Sequence, residues 1–364
     1  MKKTIVALAV AAVAATSANA ATVYNQDGTK VDVNGSVRLI LKKEKNERGD
    51  LVDNGSRVSF KASHDLGEGL SALAYTELRF SKNVTVQVKD PQGKVVREYD
   101  VEKLGNNVHV KRLYAGFAYE GLGTLTFGNQ LTIGDDVGVS DYTYFLGGIN
   151  NLLSSGEKAI NFKSAEFNGF TFGGAYVFSA DADKQAPRDG RGFVVAGLYN
   201  RKMGDVGFAL EAGYSSKKIG DAMLSVNQKA WTVGGELSYQ DFAVAVDYSQ
   251  VKSGKLDTIS WRGQKHPGKP DQDDSFHKVR EVELGLKYQF IPESKIYTDF
   301  IWGKAVTAYD RTVRLRAYIA GVDYKFHKNV VTYLEGGVFR YKHDNDLDPT
   351  LRDKKLGVGL RVFF

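Results

Sequence analysis

The chain contains no cysteine, six prolines and three tryptophans in 364 residues. Without cysteine there is no disulfide to staple the fold and no thiolate to serve as nucleophile or zinc ligand. With proline so scarce, long stretches keep every backbone N–H available for pairing, as strands require. Beyond the first twenty residues no run approaches eighteen consecutive apolar residues, which excludes a helical membrane protein. Neither sign of charge dominates: 49 Lys and Arg face 43 Asp and Glu, dispersed along the chain. No basic patch forms, so no nucleic-acid partner is expected. A Gly-x-Ser-x-Gly elbow and a phosphate loop are both missing. The histidines (His64, His109, His266, His277, His327 and His343) show no metal-ligand spacing. The expectation is a protein that is not an enzyme, with no cofactor and no metal site.

What is present starts with Lys2 and Lys3, an apolar run from Ile5 to Ala15, and Ala18-Asn19-Ala20. That is the layout of a secretory signal peptide, with cleavage expected after Ala20. Its loss takes two positive charges from the formal net charge of +6. Residues 21–364 show no linker and no shift in composition, and read as one domain. The 39 glycines and 12% aromatic content favour β structure over helix.

Period-two alternation runs through this region. Val31, Val33, Gly35, Val37, Leu39 and Leu41 alternate with mostly polar residues, Arg38 among them. Val58, Phe60 and Ala62 oppose Arg57, Ser59 and Lys61, while Leu113, Ala115, Phe117 and Tyr119 share one face. Further on, apolar faces leave Glu211, Glu236, Asp247, Glu281, Glu283 and Arg361 on the opposite side. Short turns are expected near Asp65–Gly69, Glu120–Gly123, Asn168–Gly169, Met203–Asp205, Gln240–Asp241, Pro292–Ser294 and His327–Asn329. Longer polar segments are expected near 44–54, 81–107, 129–157, 180–190, 216–228, 252–278, 304–311 and 342–354. These connections join about sixteen strands, an even number with short turns at one rim and long loops at the other.

A soluble barrel would need an apolar interior, yet the second face here is too rich in charge to pack dry. The predicted fold class is therefore all-β, a 16-stranded antiparallel transmembrane β-barrel in the outer membrane. Tyr119, Tyr239, Tyr288, Phe290, Tyr324 and Phe326 fall near strand ends, as an interfacial girdle requires. The third long loop, at about 129–157, is expected to fold into the lumen and narrow it. Arg38, Arg57, Lys61 and Arg112 are candidates for a basic wall at the constriction. Asp135, Asp136 and Asp141 are candidates for the acidic side on the loop, and Asp135 and Asp136 are also placed to cap a short helical turn. Opposed walls of this kind set a field across the narrowest point and sort solutes by charge. A substrate-specific channel, an adhesin and an outer-membrane enzyme are the alternatives. Tyr142, Tyr144 and Phe145 would serve the first of these as a short stacking surface, and otherwise pack on the barrel wall.

From end to end the chain resembles the Gram-negative trimeric general porins, and most closely those of the Pasteurellaceae. The resemblance rests on the opening Val23-Tyr24-Asn25-Gln26-Asp27-Gly28, on Arg57-Val58-Ser59-Phe60-Lys61, on Gly321-Val322-Asp323-Tyr324-Lys325-Phe326 and on the ending Leu360-Arg361-Val362-Phe363-Phe364. It implies passive diffusion of ions and small hydrophilic solutes, and a homotrimer latched by the 81–107 loop. Contacts with outer-membrane lipid and lipopolysaccharide are implied as well. It also implies that Arg57, Arg112 and Asp141 occupy constriction positions. Two departures stand out: Ser36 lies where a basic residue is expected, and Phe145 where the loop would carry a glutamate. Fewer acids there imply weak or mildly anionic selectivity.

Overall fold

A computed structural model describes residues 20–45, 48–80, 82–89, 95–103, 108–179, 190–220, 225–254, 256–266, 269–344 and 350–364. The expected leader, apart from Ala20, lies outside the described residues, as do side chains of the 81–107 segment. The first barrel strands are β1 (Thr29–Lys43), β2 (Arg57–Gly67), β3 (Leu70–Arg79), β4 (His109–Tyr119), β5 (Gly123–Leu131) and β6 (Ser155–Ser164). There follow β7 (Phe170–Val177), β8 (Gly192–Met203), β9 (Val206–Gly220), β10 (Ser225–Tyr239) and β11 (Phe242–Lys252). The last five are β12 (Lys278–Ile291), β13 (Ser294–Val306), β14 (Thr312–His327), β15 (Val330–His343) and β16 (Leu351–Phe363). Each pairs antiparallel with its neighbours. The sheet closes where β1 meets β16, with Ser36 opposite Phe363 and Lys43 opposite Leu356. Closure leaves no edge strand to aggregate.

Short strands extend this frame. Ala21–Gln26 folds back on the start of β1, and Asp50–Asp53 pairs with its end. Two long loops carry hairpins of their own, Lys82–Lys89 with Val95–Lys103 and Ile259–His266 with Lys269–Phe276. The seven expected short turns all lie on one rim, between β2 and β3 and so on to β14 and β15. One loop differs from the sequence expectation. Residues 216–228 are mostly strand, because β9 and β10 stay in register up to Gly220 opposite Ser225. Lys217, Lys218, Asn227 and Gln228 look like loop in sequence, but ladder pairing carries these polar residues on beyond the apolar belt.

The two faces of the sheet differ as the alternation predicts. Leu41, Phe60, Leu113, Phe117, Leu210, Trp231, Leu334 and Val358 all point outward and stay exposed. An outward apolar belt on a closed barrel is the pattern of a membrane-spanning barrel. The ring pairs Phe242–Tyr288, stacked at 4.1 Å, and Tyr324–Phe326, edge-on at 4.9 Å, lie at the short-turn rim. Inward positions carry charge. The apolar core sits inside the barrel, where Ile133, Val137, Leu146, Ile149 and Leu152 of the β5–β6 connection pack on the inner wall. They meet Ala196, Leu198, Ala230, Val251, Ile301 and Ile319, and the hairpin residues Trp261 and Phe276 join them. Each Val, Leu, Ile or Phe side chain so withdrawn from water contributes about 1.5–3 kcal/mol.

Candidate functional site: the lumen and its inward-folded loop

Strand pairing holds the chain to Leu131 on one side and from Ser155 on the other. The intervening 132–154 segment crosses the lumen and lies along the wall from β9 to β16. It begins with a single 3-10 turn, Ile133–Asp136, capped by the Thr132 hydroxyl, which accepts the Gly134 N–H at 3.2 Å. Such a path would strand backbone donors away from water unless the wall met them. Inward carboxylates do so in order. Glu211 on β9 accepts the Gly138 N–H at 2.7 Å. Asp247 on β11 accepts those of Val139 and Ser140 at 2.9 and 2.8 Å. Glu283 on β12 accepts Gly148 at 3.0 Å. Glu335 on β15 accepts Tyr144, Phe145 and Leu146 at 2.7, 3.1 and 2.8 Å. Bonds from backbone N–H to ionised carboxylates are about twice as strong as neutral ones.

Aromatic rings complete the attachment. Tyr142 donates its hydroxyl to Glu236 at 2.6 Å, and Tyr144 donates to Asp323 at 2.6 Å. Burial, followed by these carboxylate contacts, pushes both phenols well above their ordinary range. The Tyr144 ring stacks on Tyr333 at 4.5 Å, and the Lys287 ammonium sits 4.4 Å from the centre of the Tyr142 ring. Phe145 packs beside Ile40, Val52 and Tyr333. The aromatics of this loop therefore lie against the wall.

Across the lumen, β1 to β4 present arginines. Glu77 of β3, 1% exposed, takes Arg79 Nε at 2.6 Å and Arg112 Nη1 at 3.1 Å, with Arg57 Nη1 at 3.9 Å. Arg57 also donates to the Gly55 carbonyl at 3.1 Å. Arg38 donates to Ser36 Oγ at 2.9 Å and lies over the Phe363 ring at 5.6 Å. Its electrostatic neighbours include Arg79 and Arg361. Arg38, Arg57 and Arg112 are thus brought together. Lys61 is not with them: it sits four residues further down β2, opposite Asp32, which Lys30 pairs at 2.8 Å.

The loop acids are spread apart. Asp136 pairs with Lys163 of β6 at 2.8 Å, with both side chains partly exposed. Asp135 is exposed, yet desolvation within the lumen lifts its carboxyl above the usual range; Arg112 opposes the shift and Asp136 adds to it. Asp141 accepts the Thr143 N–H at 2.9 Å and hydroxyl at 2.7 Å. Asp141, Glu283 and Asp299 of β13 approach closely, with one oxygen of each within 4.8 Å of the others. Glu77 and Arg79 escaped the sequence reading, although Tyr75, Glu77 and Arg79 alternate with Ala74, Thr76 and Leu78. Glu211, Glu236, Asp247, Glu281 and Glu283 were legible as inward-facing, while Asp299, Asp323 and Glu335 were not singled out; the role of these carboxylates as acceptors for one loop was not legible.

Comparison with known proteins places this geometry. The sequence model described as Gram-negative porin matches residues 7–344. A major outer membrane protein of Pasteurella multocida is 71% identical over 365 residues, spanning 100% of both chains. Another, from Pasteurella multocida strain Pm70, is 64% identical over 378 residues, again spanning 100% of both. Among solved structures, an anion-selective porin from Comamonas acidovorans superposes with TM-score 0.67 at 16% identity, covering 92% of this chain and 100% of that one. The trimer form of in-vitro folded OmpT, an outer membrane protein of Vibrio cholerae, gives TM-score 0.65 at 17% identity, covering 93% and 100%. At these identities the structural likeness concerns the fold.

Proposed function

We propose, since this chain belongs to the Gram-negative porin family, that the segment at about 129–157 is the constriction of its water-filled channel. The protein is an outer-membrane porin with a closed sixteen-stranded barrel. In this reading it passes ions and small hydrophilic solutes by passive diffusion and performs no covalent chemistry. One observation carries it: a long segment fixed inside the barrel by carboxylates of four wall strands, leaving a basic wall opposite.

Charge sets the preference of such a pore and width its size limit. Arg57, Arg79 and Arg112 share one carboxylate, Glu77, so the β2–β4 wall keeps a positive excess. Facing it, much of the acidic charge is taken up by loop amides and tyrosines. The pore therefore favours anions weakly. Arg38, Arg57 and Arg112 act at the narrow zone with Asp135 and Asp141, while Lys61 and Asp136 tune the field from further out. Residues 1–20 act as a cleaved leader, the outward belt contacts lipid and lipopolysaccharide, and the assembly is a homotrimer like the OmpT form.

Single-channel recording of the refolded protein in a salt gradient tests this. Ohmic conductance in steps of three, with a reversal potential on the anion side, is expected. A silent barrel, or a small current blocked by one solute, would overturn general diffusion in favour of a plugged or dedicated channel.

A further inference from the structure

In the group formed by Asp141, Glu283 and Asp299, the wall residue Asp299 lacks the partners that the other wall carboxylates have. Asp299 is 0% exposed, and neither of its oxygens receives a hydrogen bond. The Tyr142 backbone approaches it without closing one. The acids Glu283, Asp141 and Glu335 are its strongest electrostatic neighbours. The cations within reach are engaged elsewhere. Lys295 donates to the Tyr142 carbonyl at 3.3 Å and faces the rings of Tyr144 and Tyr297. Arg262 pairs with Glu281 at 2.9 Å and donates to the Gly148 carbonyl at 2.6 Å. Among the described residues, no ion pair reaches Asp299 or Asp141.

An unpaired buried carboxylate beside two others is too costly to stand uncompensated. We propose that Asp141, Glu283 and Asp299 form a divalent-cation site, suited to calcium, that clamps the turn of the inward loop to β12 and β13. All three supply hard oxygen ligands, which calcium takes at about 2.3–2.6 Å. Oxygens on opposite sides of such an ion stand about 5 Å apart, and the group's oxygens fall within 4.8 Å. Magnesium, with bonds of about 2.0–2.1 Å, would demand a tighter set. Ser140 Oγ and the Gly148 N–H hold Glu283 at 3.1 and 3.0 Å, and the Thr143 contacts hold Asp141. Gly147 and Gly148 leave room for Asp141: a Cβ at Gly147 would collide with its Oδ1, and Gly148 has φ +85°. The site depends on the placement of the loop and not on conduction, so either proposal can fail without the other.

The test is calorimetric titration of the folded full-length barrel in detergent, stripped with chelator, with calcium chloride. One site per chain is expected, with calcium bound more tightly than magnesium and affinity lowered about tenfold or more in Asp299→Asn. Should that variant fail to fold, Asp141→Asn, on the exposed side of the group, must show the same loss. Equal calcium uptake by wild type and both variants would overturn the site. So would no uptake by wild type, with Asp299→Asn the more heat-stable protein; a proton would then hold Asp299 neutral.

Discussion

Arg361 of the last strand donates to the Tyr144 carbonyl at 2.8 Å and lays its guanidinium 4.6 Å from the centre of the same ring. The end of the chain and the middle of the inward loop, 217 residues apart in sequence, thus hold one another. The planar guanidinium suits both a carbonyl and an aromatic face, which a lysine would not match.

Tyr144 is therefore the loop side chain whose loss should be felt most. Tyr144→Phe loses only the bond to Asp323, at about 1.5–3 kcal/mol. Tyr144→Ala also forfeits the ring contacts with Tyr333 and Arg361, each worth about 0.5–2 kcal/mol. Single-channel current should be near wild-type noise in Tyr144→Phe and should flicker at higher mean conductance in Tyr144→Ala. A quiet, unchanged Tyr144→Ala channel would show that the ring does not hold the loop.

Glu77→Gln keeps the shape of the hub but removes the charge shared by Arg57, Arg79 and Arg112. The three guanidinium groups would then repel one another without compensation. The expected result is a loss of about 1.5–3 kcal/mol in urea unfolding and a reversal potential moved further to the anion side. Movement to the cation side would contradict the basic-wall assignment.

Gly35 and Phe364 seal the barrel through paired backbone bonds of 2.7 and 3.0 Å, with the Phe364 ring filling the space a Cβ at Gly35 would need. Gly35→Ala should lower the refolded fraction, by about 1–3 kcal/mol in stability. Combining it with Phe364→Ala should add nothing to the Phe364→Ala defect, because the clash is gone. Gel mobility of heated and unheated samples reads the refolded fraction.

Asp135, although exposed, binds its proton more tightly in the folded barrel than in the unfolded chain, because the lumen partly desolvates its carboxyl and Asp136 stands beside it. As pH rises through the interval between the two values, the folded state holds the extra proton and stability falls. Asp135→Asn should remove that decline. Reversal potentials should also diverge: on acidification wild type gains anion preference above the ordinary aspartate range, and Asp135→Asn lacks this component. Superimposable pH curves for the two proteins would exclude it.

Much of the barrel was legible in the sequence because its determinants are local. Alternation of apolar and polar residues follows from strand pleat, and Gly, Asn and Asp mark the short turns. Strand face and lumen-facing charge could be read from residues such as Val37, Arg38 and Leu39, and strand number from the succession of short turns and long loops. The 216–228 error arose where polar residues continue a ladder beyond the membrane, a region in which lipid imposes no pattern.

By itself the sequence determined the class of fold, the two faces of each strand and the supply of arginines and carboxylates to the lumen, since these depend on spacing along one strand. Only the tertiary structure decided which charges meet. Closure brings Arg361 onto Tyr144, Glu77 between three arginines and Asp299 beside Asp141. Such meetings depend on register across strands distant in the chain and on the path of a loop with no period of its own. Coulomb and hydrogen-bond energies fall steeply over a few ångströms, so residue spacing alone cannot assign them.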